Sequence, residues 1–142
     1  MKLEDMLAYK VAMLASGLSE SLAKEYADFN LTVPEWRILA TLGATIDSAQ
    51  EFSLTAKELA MATHLDKVQV SRALERLAKR DAIHKRSCED DKRATFISLS
   101  IKGVQIYQTL LPRIIRWQNR RLENITDAEY QIFLKVIDAL KP

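Results

Sequence analysis

The stretch Leu54-Thr55-Ala56-Lys57-Glu58-Leu59-Ala60-Met61-Ala62-Thr63-His64-Leu65-Asp66-Lys67-Val68-Gln69-Val70-Ser71-Arg72-Ala73-Leu74-Glu75-Arg76-Leu77 contains two helix starts in close succession. Thr55-Ala56-Lys57-Glu58 and Asp66-Lys67-Val68-Gln69 both have capping-box form. The first side-chain oxygen accepts from the amide three residues on, and the Glu or Gln there reaches back. Leu54 with Leu59, and Leu65 with Val70, frame them as hydrophobic staples. The spacing predicts a helix over about Thr55 to Thr63 and another from Asp66 to about Arg80, joined by a residue or two around His64-Leu65. So short a connection forces a steep crossing, that of a helix-turn-helix. Ala60 permits close approach, while Leu59, Leu65, Val70 and Ala73 fill the angle; His64 stands where such a turn ordinarily has Gly.

Val70, Ala73, Leu74 and Leu77 form the apolar stripe of the second of these helices. At about 100° per residue the opposite face then carries Val68, Arg72, Glu75, Arg76 and Lys79, with Gln69 and Ser71 on its flanks. Arg forks onto guanine O6 and N7, Gln pairs with adenine, and Ser and Lys suit phosphates or base edges. Lys67, Gln69, Ser71, Arg72 and Arg76 are therefore the candidate major-groove residues. A solvated helix face would also be charged. The place of this face, on the second helix of a helix-turn-helix with a basic segment after it, favours DNA.

Charge along the chain agrees. The net charge is only +2, but residues 1–63 carry five basic and nine acidic side chains, whereas residues 64–93 carry nine and six. Asp66 to Arg86 alone holds seven bases and three acids. The near-neutral total thus conceals a basic centre suited to a polyanion.

Outward from this centre, Thr32-Val33-Pro34-Glu35 and Thr126-Asp127-Ala128-Glu129 repeat the box, with Leu31/Trp36 and Ile125/Tyr130 as staples. Leu3, Leu7, Val11, Leu14, Leu18 and Leu22 predict one long first helix. Ser100 to about Leu122 predicts another, with Val104, Tyr107, Leu111, Ile114, Ile115, Gln118 and Leu122 on its stripe and a kink at Pro112. Ile83–Arg86 and Ala94–Leu99 read as two strands, with residues 87–93 as the polar hairpin tip. Arg86, Lys92 and Arg93 are the candidate hairpin contacts, Arg93 and Lys92 being suited to a narrow minor groove. Asp90 and Asp91 fit there if one carboxylate orients the Arg93 guanidinium; a plain polar turn is the alternative. The expected class is mainly α with a small β-hairpin wing: a winged helix-turn-helix flanked by N- and C-terminal helices. Both terminal helices are apolar beyond what a small core can cover, with Tyr130, Phe133, Leu134, Ile137 and Leu140 repeating in the last, which points to a homodimer. Arg113, Arg116, Arg120 and Arg121 are expected to pair with the acidic N-terminal half rather than with phosphates.

Other classes lack their parts. With 142 residues, 48% hydrophobic composition, three Gly and three Pro, the chain reads as one ordered, helix-dominated domain. No apolar run reaches the ~18 residues of a membrane span, and Met1-Lys2-Leu3-Glu4-Asp5 turns acidic where a signal peptide would be apolar, so a cytoplasmic location and no membrane partner are expected. Two His and one Cys supply no metal-spaced cluster, and there is no phosphate loop or nucleophile with a base beside it. The expectation is no enzyme, no cofactor and no metal. Cys88, near Lys85, Arg86 and Lys92, is the one candidate redox sensor, opposed by Glu89, Asp90 and Asp91.

Leu54-Thr55-Ala56-Lys57-Glu58-Leu59-Ala60, Val70-Ser71-Arg72-Ala73-Leu74-Glu75-Arg76-Leu77, Asp91-Lys92-Arg93 and Leu99-Ser100-Ile101-Lys102-Gly103 resemble the MarR/SlyA family of winged-helix transcription regulators. The resemblance runs nearly end to end. It implies a single domain over 1–142, with a DNA-binding lobe over about 32–99 and dimerisation helices over about 1–29 and 101–141. It also implies a homodimer on a pseudo-palindromic operator, with Ser71 and Arg72 in the major groove, Arg93 in the minor groove, and Asp91 positioning Arg93. Many relatives bind small aromatic acids between the dimer helices and the lobe, so an aromatic effector is expected, with Tyr9, Trp36 and Arg37 as candidate ligand residues. Asp81 departs from the family's usual Gly after the recognition helix, and Pro112 is unusual in a dimerisation helix. The alternative functions are a winged-helix module that binds another protein and a redox regulator acting through Cys88.

Overall fold

The computed structural model describes residues 1–46, 53–87 and 94–142. Six helices and three strands follow in the order α1 (Leu7–Tyr26), α2 (Val33–Gly43), β1 (Leu54–Thr55), α3 (Ala56–Thr63), α4 (Lys67–Lys79), β2 (Ile83–Ser87), β3 (Thr95–Leu99), α5 (Ile101–Leu122) and α6 (Asp127–Leu140). Three of the four expected capping boxes close in both directions. Thr55 Oγ1 accepts from Glu58 N at 3.2 Å and Glu58 Oε1 accepts from Thr55 N at 3.2 Å. The corresponding distances are 2.8 and 3.1 Å for Asp66/Gln69, and 3.1 and 3.0 Å for Thr126/Glu129. The fourth is half a box. Thr32 Oγ1 accepts from Glu35 N at 3.4 Å, but the Glu35 carboxylate turns inward instead of reaching back to the Thr32 amide.

Turns are built without glycine. His64 (φ 55°) and Asp81 (φ 57°) both adopt the left-handed conformation at helix ends. At Asp81 the chain makes a Schellman motif: Asp81 N donates to Ala78 O and Ala82 N to Leu77 O, each at 3.0 Å. The Ser100-x-x-Gly103 motif then locks onto this turn. Ser100 N donates to Ala82 O at 3.0 Å, its hydroxyl donates to Asp81 O at 2.5 Å, and the same oxygen caps α5 by accepting from Gly103 N at 3.0 Å. A Cβ on Gly103 would lie 2.0 Å from Ala82 O, so only Gly lets α5 start this close to the end of α4.

The sheet has three strands, not two. β1 pairs antiparallel with β3 through Leu54↔Ile97 and Thr55↔Phe96, giving the order β1-β3-β2. Two residues carry no periodicity, and this pairing partner is some forty positions away, so the local pattern showed only the helix cap. The core joins α2, α3, α4, the sheet and the middle of α5 through Ile38, Leu39, Leu59, Leu77, Ile97 and Leu110, among others. On α4 the expected stripe Val70, Ala73, Leu74 and Leu77 is the buried one.

Two helices differ from expectation. Leu3–Asp5 is a separate 3-10 turn, closed by Lys2 N donating to the Asp5 carboxylate at 3.2 Å, and α1 begins only at Leu7 after an extended Met6. On α5 the buried line is Gly103, Ile106 and Leu110, one position off the predicted stripe; Tyr107 and Ile114 are half-buried, and Ile115 and Gln118 are exposed. The small Gly103, invisible to a hydrophobicity pattern, sets that line. α5 continues as one helix across Pro112.

The arginines of α5 hold α1 and the 3-10 turn Ala27–Phe29 that follows it. Arg113 Nη1 lies 2.9 and 3.1 Å from the two Asp28 oxygens, Arg120 Nη2 is 3.1 Å from Glu25 Oε1, and Trp117 Nε1 donates to Ser21 Oγ at 3.0 Å. Leu7, Val11, Leu14 and Leu18 on α1 remain exposed, as do Phe133, Leu134, Ile137 and Leu140 on α6.

Candidate nucleic-acid interface

The outward face of α4 begins at its capped N-terminus. Lys67, Val68, Gln69, Ser71, Arg72, Glu75 and Arg76 are all exposed, while the helix is held from behind by its buried stripe. Gln69 has a divided role: Oε1 accepts from Asp66 N, which fixes the side chain and leaves its amide N–H groups to donate outward. Arg72 and Ser71 point away from the core, Ser71 into a cleft of about 790 Å³ between α3, α4 and the sheet. Lys57, Lys67 and Lys85 line that cleft over an apolar floor of Val70, Leu74 and Ile97. Three cations brought together from three elements make it a basic concavity beside Ser71. Lys57 lies outside the basic run in the sequence, and only the start of α3 packing beside α4 reveals it.

Arg76 is placed differently. Its Nε stands 2.6 Å from Oε1 of Glu35, a carboxylate only 1% exposed. Arg80, one turn on, donates to the carbonyls of Phe29 at 2.6 Å and Asn30 at 3.4 Å. Sequence reasoning read Glu35 as a cap partner and so missed this pairing. The available signal was two arginines four residues apart on one helix, which need an acid when half-covered.

On the hairpin, Lys85 and Arg86 are exposed on β2 and paired in register with Ile97 and Phe96. Cys88, Asp90, Asp91, Lys92 and Arg93 lie outside the described residues. The three candidate ligand residues are dispersed. Trp36 is buried in the core, stacked on Tyr26 (centroids 5.6 Å apart) and on Tyr107 (6.4 Å), while Tyr9 and Arg37 are exposed. None of them lines the cleft above, or the smaller one of about 410 Å³ beside Glu35. Burial raises the Tyr26 hydroxyl above its ordinary value of 10.0, and the nearby Arg37 charge partly opposes this. Among the described residues no group of three His, Cys, Asp or Glu is placed to hold a metal ion, and no helix is long and apolar enough to cross a membrane.

Comparison with known proteins agrees on the fold. A MarR-family regulator from Silicibacter pomeroyi superposes with a TM-score of 0.78 at 23% identity, covering 98% of this chain and 90% of its own. A probable transcriptional regulator from Pseudomonas aeruginosa gives 0.83 at 21%, covering 99% and 100%. CouR from Rhodococcus jostii, solved bound to p-coumaroyl-CoA, gives 0.81 at 15%, covering 99% and 94%. No curated protein matches by sequence. Residues 29–94 match the family model described as MarR family, and the winged-helix architecture around them is that of the solved regulators to which this chain is similar.

Proposed function

We propose that the chain is a transcription regulator that binds double-stranded DNA in a sequence-selective way as a homodimer. The observation that carries the reading is the exposed polar face of α4: its N-terminal half offers Lys67, Gln69, Ser71 and Arg72 from a rigid, capped helix on a helix-turn-helix. In this reading Ser71, Arg72 and the Gln69 amide meet base edges in the major groove, and Lys57, Lys67 and Lys85 meet phosphates. Arg76, with Nε on Glu35, offers its terminal N–H groups to the backbone rather than to a base. Arg86, Lys92 and Arg93 form the wing contact, with Asp91 orienting Arg93. Residues 32–99 act as the DNA-binding lobe. Residues 1–29 and 101–141 act as the dimerisation helices, whose exposed Leu7, Val11, Leu14, Phe133 and Ile137 need a partner surface. CouR is solved with an aromatic acyl-CoA; by extension, a small aromatic effector modulates this chain.

A salt titration tests the reading. Each phosphate neutralised contributes about −0.9 to the slope of log affinity against log salt. Several cations should therefore give a steep fall, and Arg93→Ala should reduce the slope by about 1. Binding that is absent, or flat with salt, would replace DNA by a protein partner.

A further inference from the structure

Among the described residues Glu35 is the one charged side chain that is fully buried. Oε1 accepts from Thr32 Oγ1 at 3.1 Å and pairs with Arg76 Nε at 2.6 Å. Oε2 has no hydrogen-bond donor among the described residues; Arg80 Nη1 approaches only to 3.9 Å. Such a carboxylate is a costly way to pack two helices, since an apolar residue there would avoid the desolvation of a charge. What it supplies is direction. Arg76 stands one helical turn from Arg72, so any rotation of α4 that moves Arg72 must also move Arg76 against Glu35. A rotation of about 20° displaces a side chain at the ~5–6 Å helix surface by ~2 Å, well beyond what a hydrogen bond tolerates. α2 is itself anchored. Trp36, the next residue, stacks on Tyr26 of α1 and Tyr107 of α5.

We propose that Glu35 is a positioning residue for DNA recognition: through Arg76 it fixes the rotation of α4, and so the place at which Ser71 and Arg72 meet the bases. The proposal rests on the DNA-binding reading above. The carboxylate touches no DNA in this scheme; it acts only through the arginine.

The test measures affinity for two duplexes, one selected by the wild-type protein from a random pool and one a scramble of it. All measurements are made well below each variant's unfolding midpoint. Glu35→Gln should lower the selected-to-scrambled ratio by about tenfold, comparable to losing one good base contact, while affinity for the scramble does not fall. Because Arg76→Gln alone leaves the buried Glu35 carboxylate uncompensated and threatens folding, Glu35→Gln combined with Arg76→Gln removes both charges together. This double variant should fold and show the same loss of ratio as Glu35→Gln alone, since both act through one pair. A folded Glu35→Gln or double variant that keeps the wild-type ratio overturns the proposal, leaving Glu35 a packing residue. A wild-type protein that selects no duplex overturns the DNA-binding reading, and the proposal with it.

Discussion

Arg72 and Arg76 lie one turn apart on α4 and carry the same charge, yet the fold gives them different neighbours. Arg72 is exposed, while Arg76 is drawn to the buried Glu35. The sequence placed both in one contact set because the partner that separates them lies some forty residues away, on another helix. Arg72→Ala is expected to cost about 1–3 kcal/mol of discrimination at the bases it reads, with little effect on stability. A binding titration that finds unchanged selectivity contradicts that role. Tyr26 gives a second prediction, in pH. Its hydroxyl value is raised in the folded protein, so its stabilising contribution is complete below the unfolded value of 10.0 and is lost as pH rises through the folded one. Urea unfolding should show the wild type losing stability above about pH 10 more steeply than Tyr26→Phe, the two curves running parallel at lower pH. Parallel curves throughout would mean that Tyr26 ionises as freely in the fold as in the unfolded chain.

At the level of elements, what could be read from sequence was what is local. A cap and its return partner are three residues apart, which is why the starts of α3, α4 and α6 were legible to the residue. His64 was marked only as standing where such a turn ordinarily has Gly, and Asp81 only through the resemblance; both take the left-handed conformation a Gly would have supplied. β1 and the buried line of α5 were not, because each is fixed by a distant backbone: β3 for the one, the Ala82 carbonyl for the other. Gly103→Ala tests that joint. With a backbone oxygen 2.0 Å from the new Cβ, the start of α5 must shift, and a loss of about 1–3 kcal/mol or more in chemical unfolding is expected. A variant as stable as wild type would show that α5 is not seated on the turn after α4.

Across the whole molecule, the net charge of +2 and the exposed apolar helices make sense together only when located. The basic surface gathers around α4 and the hairpin, and the exposed apolar surface lies on α1 and α6, so the chain keeps its cationic and its apolar faces apart. The wing tip, the other half of the candidate site, rests on Asp91, Lys92 and Arg93, which lie outside the described residues. A dimer built on α1 and α6 would relate two α4 helices by a two-fold axis and present them to one side of a duplex. Selection of bound duplexes from a random pool measures this directly. The expected product is an inverted repeat whose half-site centres are about one helical turn, ~10–10.5 base pairs, apart. A pool without enrichment, or an enriched motif with no symmetric partner, would contradict it.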